Sequence, residues 1–299
     1  MLNGVINIYK EKGYTSHDVV AKLRGILRQR RIGHTGTLDP DAEGVLPVCI
    51  GSATKLCDML TDWDKEYAAG LRLGLTTDTQ DIWGKTLEEK PVTVTEAEVK
   101  AAILSFVGGY AQIPPMYSAI KVDGKRLYEL ARQGKEVERK PRNITIHELE
   151  ILSMQLPEIS LRVVCSKGTY IRTLCHDIGM KLDCGAVMSS LTRTRTGQFA
   201  LEGAHKLDEI ESLYKQGRIE EVLLPIDSVF EELAEVHVVD DARKLIENGN
   251  SFFLNRIRER RLFGEGEEVR VYDTTGRFYG VYTFLRGEGR FIPQKMFLE

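Results

Sequence analysis

The sequence lacks several features that mark other classes of protein. It has no uncharged apolar run of about 18 residues, and its start has neither the charged segment nor the long apolar stretch of a signal peptide. We therefore predict a folded cytoplasmic protein without a membrane segment. At 299 residues, 42% of them hydrophobic, the chain is long enough for one large domain or for two.

Cysteine is scarce, and its spacing fits neither a disulfide framework nor a metal site. The five cysteines are odd in number, form no C-x-x-C pair and lie mostly in apolar segments. We predict that they are reduced core residues and that the chain holds no metal ion. They are Cys49, Cys57, Cys165, Cys175 and Cys184.

The net charge of −3 conceals a segregation of charge along the chain. Residues 10–35 carry seven Lys or Arg against two acids, and residues 119–142 carry eight against four. The compensating acid lies in residues 208–241, with eleven Asp or Glu against two basic residues. A basic face that binds nucleic acid is therefore compatible with an acidic total, although ordinary solvated helix faces would give the same pattern.

Hydrophobic periodicity predicts mixed α and β structure in the first part of the chain. A strand over Val5–Tyr9 precedes a helix that begins at Thr15 or Ser16, with an apolar residue on each turn of one face. Further strands are predicted over about 45–50 and about 66–75. The segment of about 113–142 mixes Pro-Pro, Gly and basic residues, which is typical of an exposed excursion.

The stretch GHTGTLDPDAEGVLPV, from Gly33 to Val48, places one carboxylate in a short loop bounded by glycines. Asp39 stands before Pro40, and a residue before proline is pushed from helical to extended backbone. Glycine permits turns that other residues resist. We predict a loop that presents Asp39, although an Asp-Pro pair taken alone also fits an ordinary turn.

A second informative stretch runs from Ile159 to Leu182 and predicts a strand, a Lys-Gly turn and a helix. Tyr170 and Arg172 fall outside the apolar stripe of this helix, in its first turn. Side chains there can reach into a cleft at the end of the strand. Helix-dipole preference does not explain an arginine at this position, which leaves a cleft or a surface placement.

The character of the chain changes after about Leu233. Tyr, Phe, Val and Arg alternate between glycine turns, as in GEEVRVYDTTGRFYGVYTFLRGEGRF, which predicts short strands. We therefore predict two domains. Residues 1–232 form the first, which includes the excursion, and residues 233–299 form a small β-rich second domain.

Several segments, taken together, resemble one known family. The loop GHTGTLDPDAEGVLPVCIGSATK is close to the signature of the bacterial tRNA pseudouridine-55 synthases of the TruB type. DKEYAAGLRLGLTTDTQD, PPMYSAIKVDGKRLYELAR and CSKGTYIRTL also match that family, in its order, and the resemblance covers nearly the whole chain. One departure is the turn Lys10-Glu11-Lys12-Gly13, where the family usually has Lys-Pro-x-Gly.

The resemblance implies an α+β fold with a mixed, largely antiparallel sheet, flanking helices and a central cleft, followed by a PUA-like RNA-binding domain. It also implies isomerisation of a tRNA uridine, expected to be uridine 55 of the T-loop, to pseudouridine. The C1′–N1 bond breaks, the uracil rotates and C5 bonds to C1′. Because nothing is added or lost, no cofactor is expected. The expected partner is tRNA, held at its T-arm and acceptor end by a monomer without an obligate protein partner.

The resemblance also assigns roles to individual residues. Cleavage at an anomeric carbon builds positive charge that a carboxylate stabilises or captures, and Asp39 matches that carboxylate. Arg172 is the candidate cation beside it, with Asp81 on the other side of the guanidinium. Tyr67 matches the tyrosine that packs on the base and helps to remove the C5 proton. Three further residues match the substrate pocket or the RNA near the flipped base: Tyr170, Leu191 and His34.

The target uridine must be flipped out of a folded RNA loop at a cost of roughly a few kcal/mol, and phosphate contacts must offset that cost. The two basic segments are where we expect them, and the second is predicted to act as a flap over the RNA loop. The candidate contacts to the RNA backbone are Lys10, Arg30, Arg31, Lys121, Lys125 and Arg126.

Two other functions fit parts of the pattern. A glycoside or nucleoside hydrolase could use Asp39 as its nucleophile, but such enzymes usually need a second carboxylic acid, and nothing marks Asp41 or Glu43 as that acid. A non-catalytic RNA-binding or tRNA-folding protein would keep the basic segments and the second domain. It would not need Asp39 and Arg172 together.

Overall fold

A mixed sheet forms the centre of the protein, which is described by a computed structural model over residues 1–122 and 124–298. The strands are β1 Gly4–Lys10, β2 Ile32–His34, β3 Glu43–Ile50, β4 Lys65–Leu73, β5 Leu75–Thr77, β6 Thr86–Glu89, β7 Gly108–Gln112, β8 Lys121–Val122, β9 Lys125–Arg126, β10 Arg142–Gln155, β11 Glu158–Cys165, β12 Ala186–Thr196, β13 Phe199–Ala200, β14 Ala234–His237, β15 Phe252–Phe253, β16 Glu268–Tyr272, β17 Phe278–Leu285 and β18 Arg290–Met296. The α-helices are α1 Ser16–Ile26, α2 Cys57–Thr61, α3 Glu96–Leu104, α4 Leu127–Arg132, α5 Ile171–Lys181, α6 Leu207–Lys215 and α7 Arg243–Glu247.

The central sheet has the strand order β1-β3-β12-β4-β11-β10-β7, with β2 beside β3 and β13 beside β12. The β3–β12 pair is parallel, and the other neighbours along this path are antiparallel. The predicted mixed, largely antiparallel sheet is therefore confirmed. Strands β3, β12 and β4 lie side by side in its middle, so residues from three distant parts of the sequence meet there.

Local sequence signals explain how the elements around this centre begin. Thr15 caps α1 because its hydroxyl accepts a hydrogen bond from the Asp18 N–H, while the Asp18 carboxylate accepts one from the Thr15 N–H. The helix predicted to start at Thr15 or Ser16 is thus confirmed. Helix α5 packs its apolar stripe into the core under the sheet, and its first turn points to the middle strands.

A second sheet occupies the end of the chain, in the order β14-β16-β17-β18-β15, and it has its own apolar core. The small β-rich unit is therefore present. Val281 and Phe297 of this unit also share a core cluster with Val5 and Val45 of the central sheet. The two sheets are packed together through apolar contacts, while the boundary between residues 232 and 233 stays a prediction.

The segment 113–142 forms the β8–β9 hairpin and α4, and Asp123 lies outside the described residues. The expectation of an exposed excursion is only partly right, because several of its side chains are anchored in the protein. The buried ones include Pro114, Pro115, Ser118, Leu127 and Leu130.

Four of the five cysteines are buried, as predicted, while Cys57 is half-buried. Among residues 1–122 and 124–298, no helix is long and apolar enough to cross a membrane. The same residues contain no group of three or more His, Cys, Asp or Glu side chains arranged to hold a metal ion.

The close contact between β3 and β12 generates a stability prediction. Gly44 has a φ of 106°, and a Cβ added there would lie 2.2 Å from the Arg193 carbonyl oxygen. Gly44→Ala should therefore lower the free energy of unfolding by at least about 2 kcal/mol, measured by chemical denaturation. The control is Gly25→Ala in α1, where a Cβ would meet no atom within 4 Å. It should gain roughly 0.5 kcal/mol, and equal stability of the two variants would contradict the prediction.

Candidate active site

Asp39 lies in the loop between β2 and β3, outside any helix, and its side chain is 40% exposed. The residues around it fix the loop. Leu38 and Ala42 are almost fully buried in the main core, and the Leu38 N–H donates to the Ser16 hydroxyl at 2.9 Å. The carboxylate is thus presented between two apolar anchors, open to an incoming ligand.

The guanidinium of Arg172 holds this carboxylate through an ion pair and a hydrogen bond. Its Nε lies 2.9 Å from Asp39 Oδ2, and its Nη2 donates to Asp39 Oδ1 at 3.3 Å. Nη2 also donates to the Tyr117 carbonyl at 3.0 Å, and Nη1 donates to the Thr79 carbonyl at 3.3 Å. Nη1 lies 3.8 Å from Asp81 Oδ2, within ion-pair distance. Each nitrogen of the guanidinium therefore has at least one oxygen partner, which fixes its plane. With 7% of its side chain exposed, Arg172 is shielded while Asp39 is accessible.

Asp81 supports Arg172 from the side away from Asp39. Its Oδ1 accepts hydrogen bonds from the Thr79 hydroxyl at 2.7 Å and the Trp83 N–H at 3.2 Å. Burial raises the pKa of Asp81, while the Thr79 hydrogen bond and the Arg172 charge oppose that rise. The sequence-based expectation that Arg172 stands between Asp39 and Asp81 matches this geometry.

Tyr67 and Leu191 lie beside the Asp39 loop, on β4 and β12. Both are more than nine-tenths buried, and both belong to the core cluster that contains Leu38 and Ala42. Tyr67 thus extends from the main core to the site. Burial raises the pKa of its phenol, and the Arg193 guanidinium opposes that rise.

Tyr170 is the residue before the first turn of α5, and its ring is half-buried. Its backbone is clamped by the buried Gln112, whose amide accepts from the Tyr170 N–H at 2.8 Å and donates to the Tyr170 carbonyl at 3.0 Å. Burial raises the pKa of the Tyr170 phenol. The clamp fixes the direction in which α5 begins, and with it the position of Arg172.

His34 ends β2, five residues before Asp39, and is half-buried. Its ring meets that of His17 edge to face, with the centroids 5.3 Å apart. Burial lowers the pKa of His34, and the neighbouring His17 lowers it further. A neutral imidazole is therefore favoured at neutral pH, which suits this ring to stacking or hydrogen bonding rather than to ionic contacts.

Lys10 does not lie where the sequence-based prediction required it. Its side chain is fully buried, and its Nζ donates to the carbonyls of Ala42 at 2.6 Å, Glu11 at 3.1 Å and Pro40 at 3.2 Å. Burial lowers the pKa of Lys10 to about 8, which the nearby Asp39 charge opposes. An ammonium with all three protons used inside the protein cannot contact an RNA backbone, so the prediction is wrong for Lys10. The residue instead holds the Asp39 loop.

The other predicted backbone contacts are at the surface. Arg30, Arg31, Lys121 and Lys125 are exposed, and Arg126 is half-exposed with its Nη1 donating to the Tyr128 hydroxyl at 3.0 Å. None of these five has a recorded contact with Asp39 among the described residues. The segment 113–142 nevertheless reaches the site through the Tyr117 carbonyl on Arg172, which supports its predicted place over the cleft.

Two further residues shape the site without a recognisable sequence signal. Gln112 is hidden at the end of a short strand, and Arg193 is one of alternating Arg and Thr residues in LTRTRT, a pattern that predicts a strand with a polar face. In the structure that face is turned inward at Arg193, which is 1% exposed. The sequence shows the alternation of Arg and Thr in β12, but it does not show which face of the strand is buried.

Two family models match this chain in succession. The N-terminal domain of the TruB family pseudouridylate synthases matches residues 24–171, which include both Asp39 and Tyr67. The C-terminal domain of tRNA pseudouridylate synthase B matches residues 172–231, beginning at Arg172. The chain belongs to the TruB family.

Curated relatives agree with this assignment over the full length of this TruB family member. A tRNA pseudouridine synthase B from Lachnoclostridium phytofermentans is 51% identical over 307 aligned residues, covering 99% of this chain and 100% of the relative. One from Bacillus pumilus is 45% identical and covers 94% of this chain and 93% of the relative.

Solved structures share the fold of this TruB family member. An H/ACA RNP bound to a substrate RNA containing 2′-deoxyuridine contains a chain that matches with a TM-score of 0.73 at 25% identity. A chain of a Cbf5-Nop10-Gar1 complex matches with the same TM-score at 27% identity. Each match covers 99% of this chain and 85% of the other. The pseudouridine-synthase-like fold predicted from the sequence is therefore confirmed.

The burial of Lys10 predicts that this TruB family member needs it for the loop and not for RNA affinity. Lys10→Met leaves three carbonyls without their donor, so the free energy of unfolding should fall by about 2 kcal/mol or more. RNA affinity of the folded variant should change less than about twofold, because Lys10 contributes no phosphate contact. Thermal unfolding and filter binding measure the two effects.

The matched control is Lys12→Met, which removes an exposed lysine two residues away. It should leave the free energy of unfolding within about 0.5 kcal/mol of the unaltered protein. A Lys10→Met protein with unchanged stability and much weaker RNA binding would contradict the assignment.

Proposed function

We propose that this chain isomerises uridine 55 in the T-loop of tRNA to pseudouridine, with Asp39 as the group that acts at the ribose. The observation that carries the proposal is the accessible Asp39 carboxylate, held by an ion pair and a hydrogen bond from the shielded Arg172 guanidinium. The family and the names of the relatives support the reaction class and the tRNA substrate.

The reaction at the sugar needs a fixed anion at C1′. Breaking the C1′–N1 bond leaves the electron pair on the uracil and positive character on C1′. Asp39 is placed to stabilise or bond to that carbon, because its loop is anchored on both sides and Arg172 fixes the plane of its carboxylate.

The detached uracil must be held away from water until C5 bonds to C1′. Tyr67 and Leu191 supply an aromatic and an aliphatic wall at the edge of the core, and Tyr170 stands at the start of α5 beside Arg172. C5 then loses a proton while N1 gains one, so no atom is added or removed in total. Tyr67 is the phenol that we assign to removal of the C5 proton.

Contacts outside the site would bind the rest of the RNA. The exposed hairpin with Lys121 and Lys125 belongs to the segment that touches Arg172, so it is suited to cover an RNA loop whose flipped base lies on Asp39. We propose that the C-terminal sheet binds the acceptor end of tRNA. We propose that the chain acts as a monomer in the cytoplasm, without a metal, organic cofactor or obligate protein partner.

Neither Asp81 nor Glu43 is suited to be the second acid that the hydrolase alternative needs. Asp81 is 14% exposed, accepts two hydrogen bonds and faces Arg172, so it is not free to protonate a leaving group. Glu43 accepts a hydrogen bond from Thr192 on β12. A hydrolase would release free uracil, whereas an isomerase retains the base in the RNA.

Asp39→Asn keeps the shape of the side chain and removes its charge, so it should abolish pseudouridine formation while tRNA binding stays within about threefold. Release of tritium from C5-labelled uridine in a tRNA transcript measures turnover, and nucleoside analysis separates pseudouridine from free uracil. Asp41→Asn is the matched control, because it changes a half-buried acid two residues away in the same loop. Turnover by Asp39→Asn within tenfold of the unaltered enzyme would refute the role of Asp39.

The exposed hairpin predicts a salt dependence of binding despite the acidic net charge. Changing Lys121, Lys125 and Arg126 together to Gln should reduce the slope of log affinity against log salt by about 2, since each lost phosphate contact removes roughly 0.7 to 0.9. A triple change to Gln elsewhere removes the same charge from residues that we place away from RNA: Lys215, Arg218 and Lys244. If both triple variants have the unaltered slope, the RNA path lies elsewhere.

A further inference from the structure

Arg193, at the middle of the central sheet, is a buried cation without a carboxylate partner. It is 1% exposed and is among the largest fully buried side chains of the chain. Among the described residues, no Asp or Glu oxygen lies within ion-pair distance of its guanidinium. Burying an unpaired charge is costly, so a residue of this kind calls for a reason beyond packing.

The contacts of Arg193 bracket the Asp39 loop. Its Nε donates to the Val45 carbonyl at 2.7 Å, and its Nη2 donates to the Gly36 carbonyl at 3.4 Å. These carbonyls stand on either side of Asp39 in the sequence. Gly36 has a φ of 122°, and a Cβ added there would lie 3.7 Å from Arg193 Nη1, so the loop backbone runs directly over the guanidinium.

Arg193 is also the cross-strand partner of Tyr67. The two residues are in register between the antiparallel strands β12 and β4, and directly opposed side chains lie on the same face of a sheet. The guanidinium therefore faces the phenol. The titratable or charged groups that act on the Tyr67 hydroxyl are Arg193, Cys165 on β11 and Asp39. Of these, Arg193 alone is a cation.

Other cations show that this interior is electropositive. Lys10 and Lys65 are both buried, and burial, together with the charge of Arg193, lowers the pKa of each to about 8. Lys65 donates to the carbonyls of Thr61 and Trp63, away from the Asp39 loop. An anion that forms on Tyr67 would therefore arise in a field that favours it.

We propose that Arg193 is a positioning residue that ties the Asp39 loop to Tyr67 and stabilises Tyr67 as a phenolate when the C5 proton is removed. The inference rests on the proposed function. In the step concerned, the phenolate oxygen takes the proton from C5, and the C–H electron pair restores the C5–C6 double bond. N1, which kept the electrons of the broken glycosidic bond, takes a proton from solvent. Tyr67 later releases the C5 proton to solvent, which balances the proton that N1 takes up.

Arg193→Gln and Arg193→Lys test the proposal on a tRNA whose target uridine carries hydrogen or deuterium at C5. Arg193→Gln keeps a hydrogen-bond donor for the loop but removes the charge. Its kcat should fall at least a hundredfold with KM within threefold, and its deuterium isotope effect should rise because proton removal becomes rate-limiting. The pH at which its rate stops rising should also be higher than for the unaltered enzyme, because the phenol must then ionise without the cation.

Arg193→Lys keeps a buried cation near the phenol, so we expect a tenfold loss of kcat, a smaller rise in the isotope effect and a pH profile close to the unaltered one. This variant carries the test if Arg193→Gln does not fold. Arg195→Gln removes a partly exposed arginine of the same strand whose guanidinium pairs with Glu66, and its isotope effect and pH profile should be unaltered.

A second substrate separates the two parts of the role. RNA with 5-fluorouridine at the target has no C5 proton to lose, but its glycosidic bond can still break and re-form. Arg193→Gln should therefore process this RNA within tenfold of the unaltered enzyme. If the folded variants keep the unaltered isotope effect and pH profile, or if both RNAs slow equally, Arg193 only supports the fold and the proposal is wrong. Failure of the unaltered protein to form pseudouridine would refute the proposed function instead.

Discussion

The guanidinium of Arg172 is the point on which the site depends. It is shielded from water, and its nitrogens contact oxygens from three parts of the chain: the Asp39 loop, the turn that holds Thr79 and Asp81, and the segment that contributes the Tyr117 carbonyl. A planar group with this many fixed partners permits one arrangement of those segments. The accessible carboxylate is therefore preorganised before any ligand binds.

Two further cations hold the Asp39 loop in place. Lys10 and Arg193 are buried and are satisfied by main-chain carbonyls rather than by carboxylates. This choice has an electrostatic consequence. A buried carboxylate partner would neutralise the lysine or arginine, whereas carbonyl dipoles leave its positive charge uncancelled under Asp39. The resulting field favours anions at the site.

The division between chemistry and RNA binding follows from burial. The groups near Asp39 are shielded side chains on the central strands and on α5, while the exposed cations lie on the β8–β9 hairpin and near the end of α1. The Tyr117 carbonyl joins the two sets. The C-terminal sheet adds apolar contacts to the central sheet, so it also contributes to stability, whatever RNA it binds.

The sequence alone determined those features that local chemistry controls. Pro40 after Asp39 made a helix at the loop unfavourable, and the pair Thr15 and Asp18 formed the cap that starts α1. Local signals could not place Lys10, because a lysine at the end of a strand has the same neighbours in sequence whether its ammonium meets water or buried carbonyls. Nor could they show that Arg193 faces inward. Only the tertiary structure decided both, since the carbonyls that compensate these charges come from residues distant in sequence, which the folded sheet brings together.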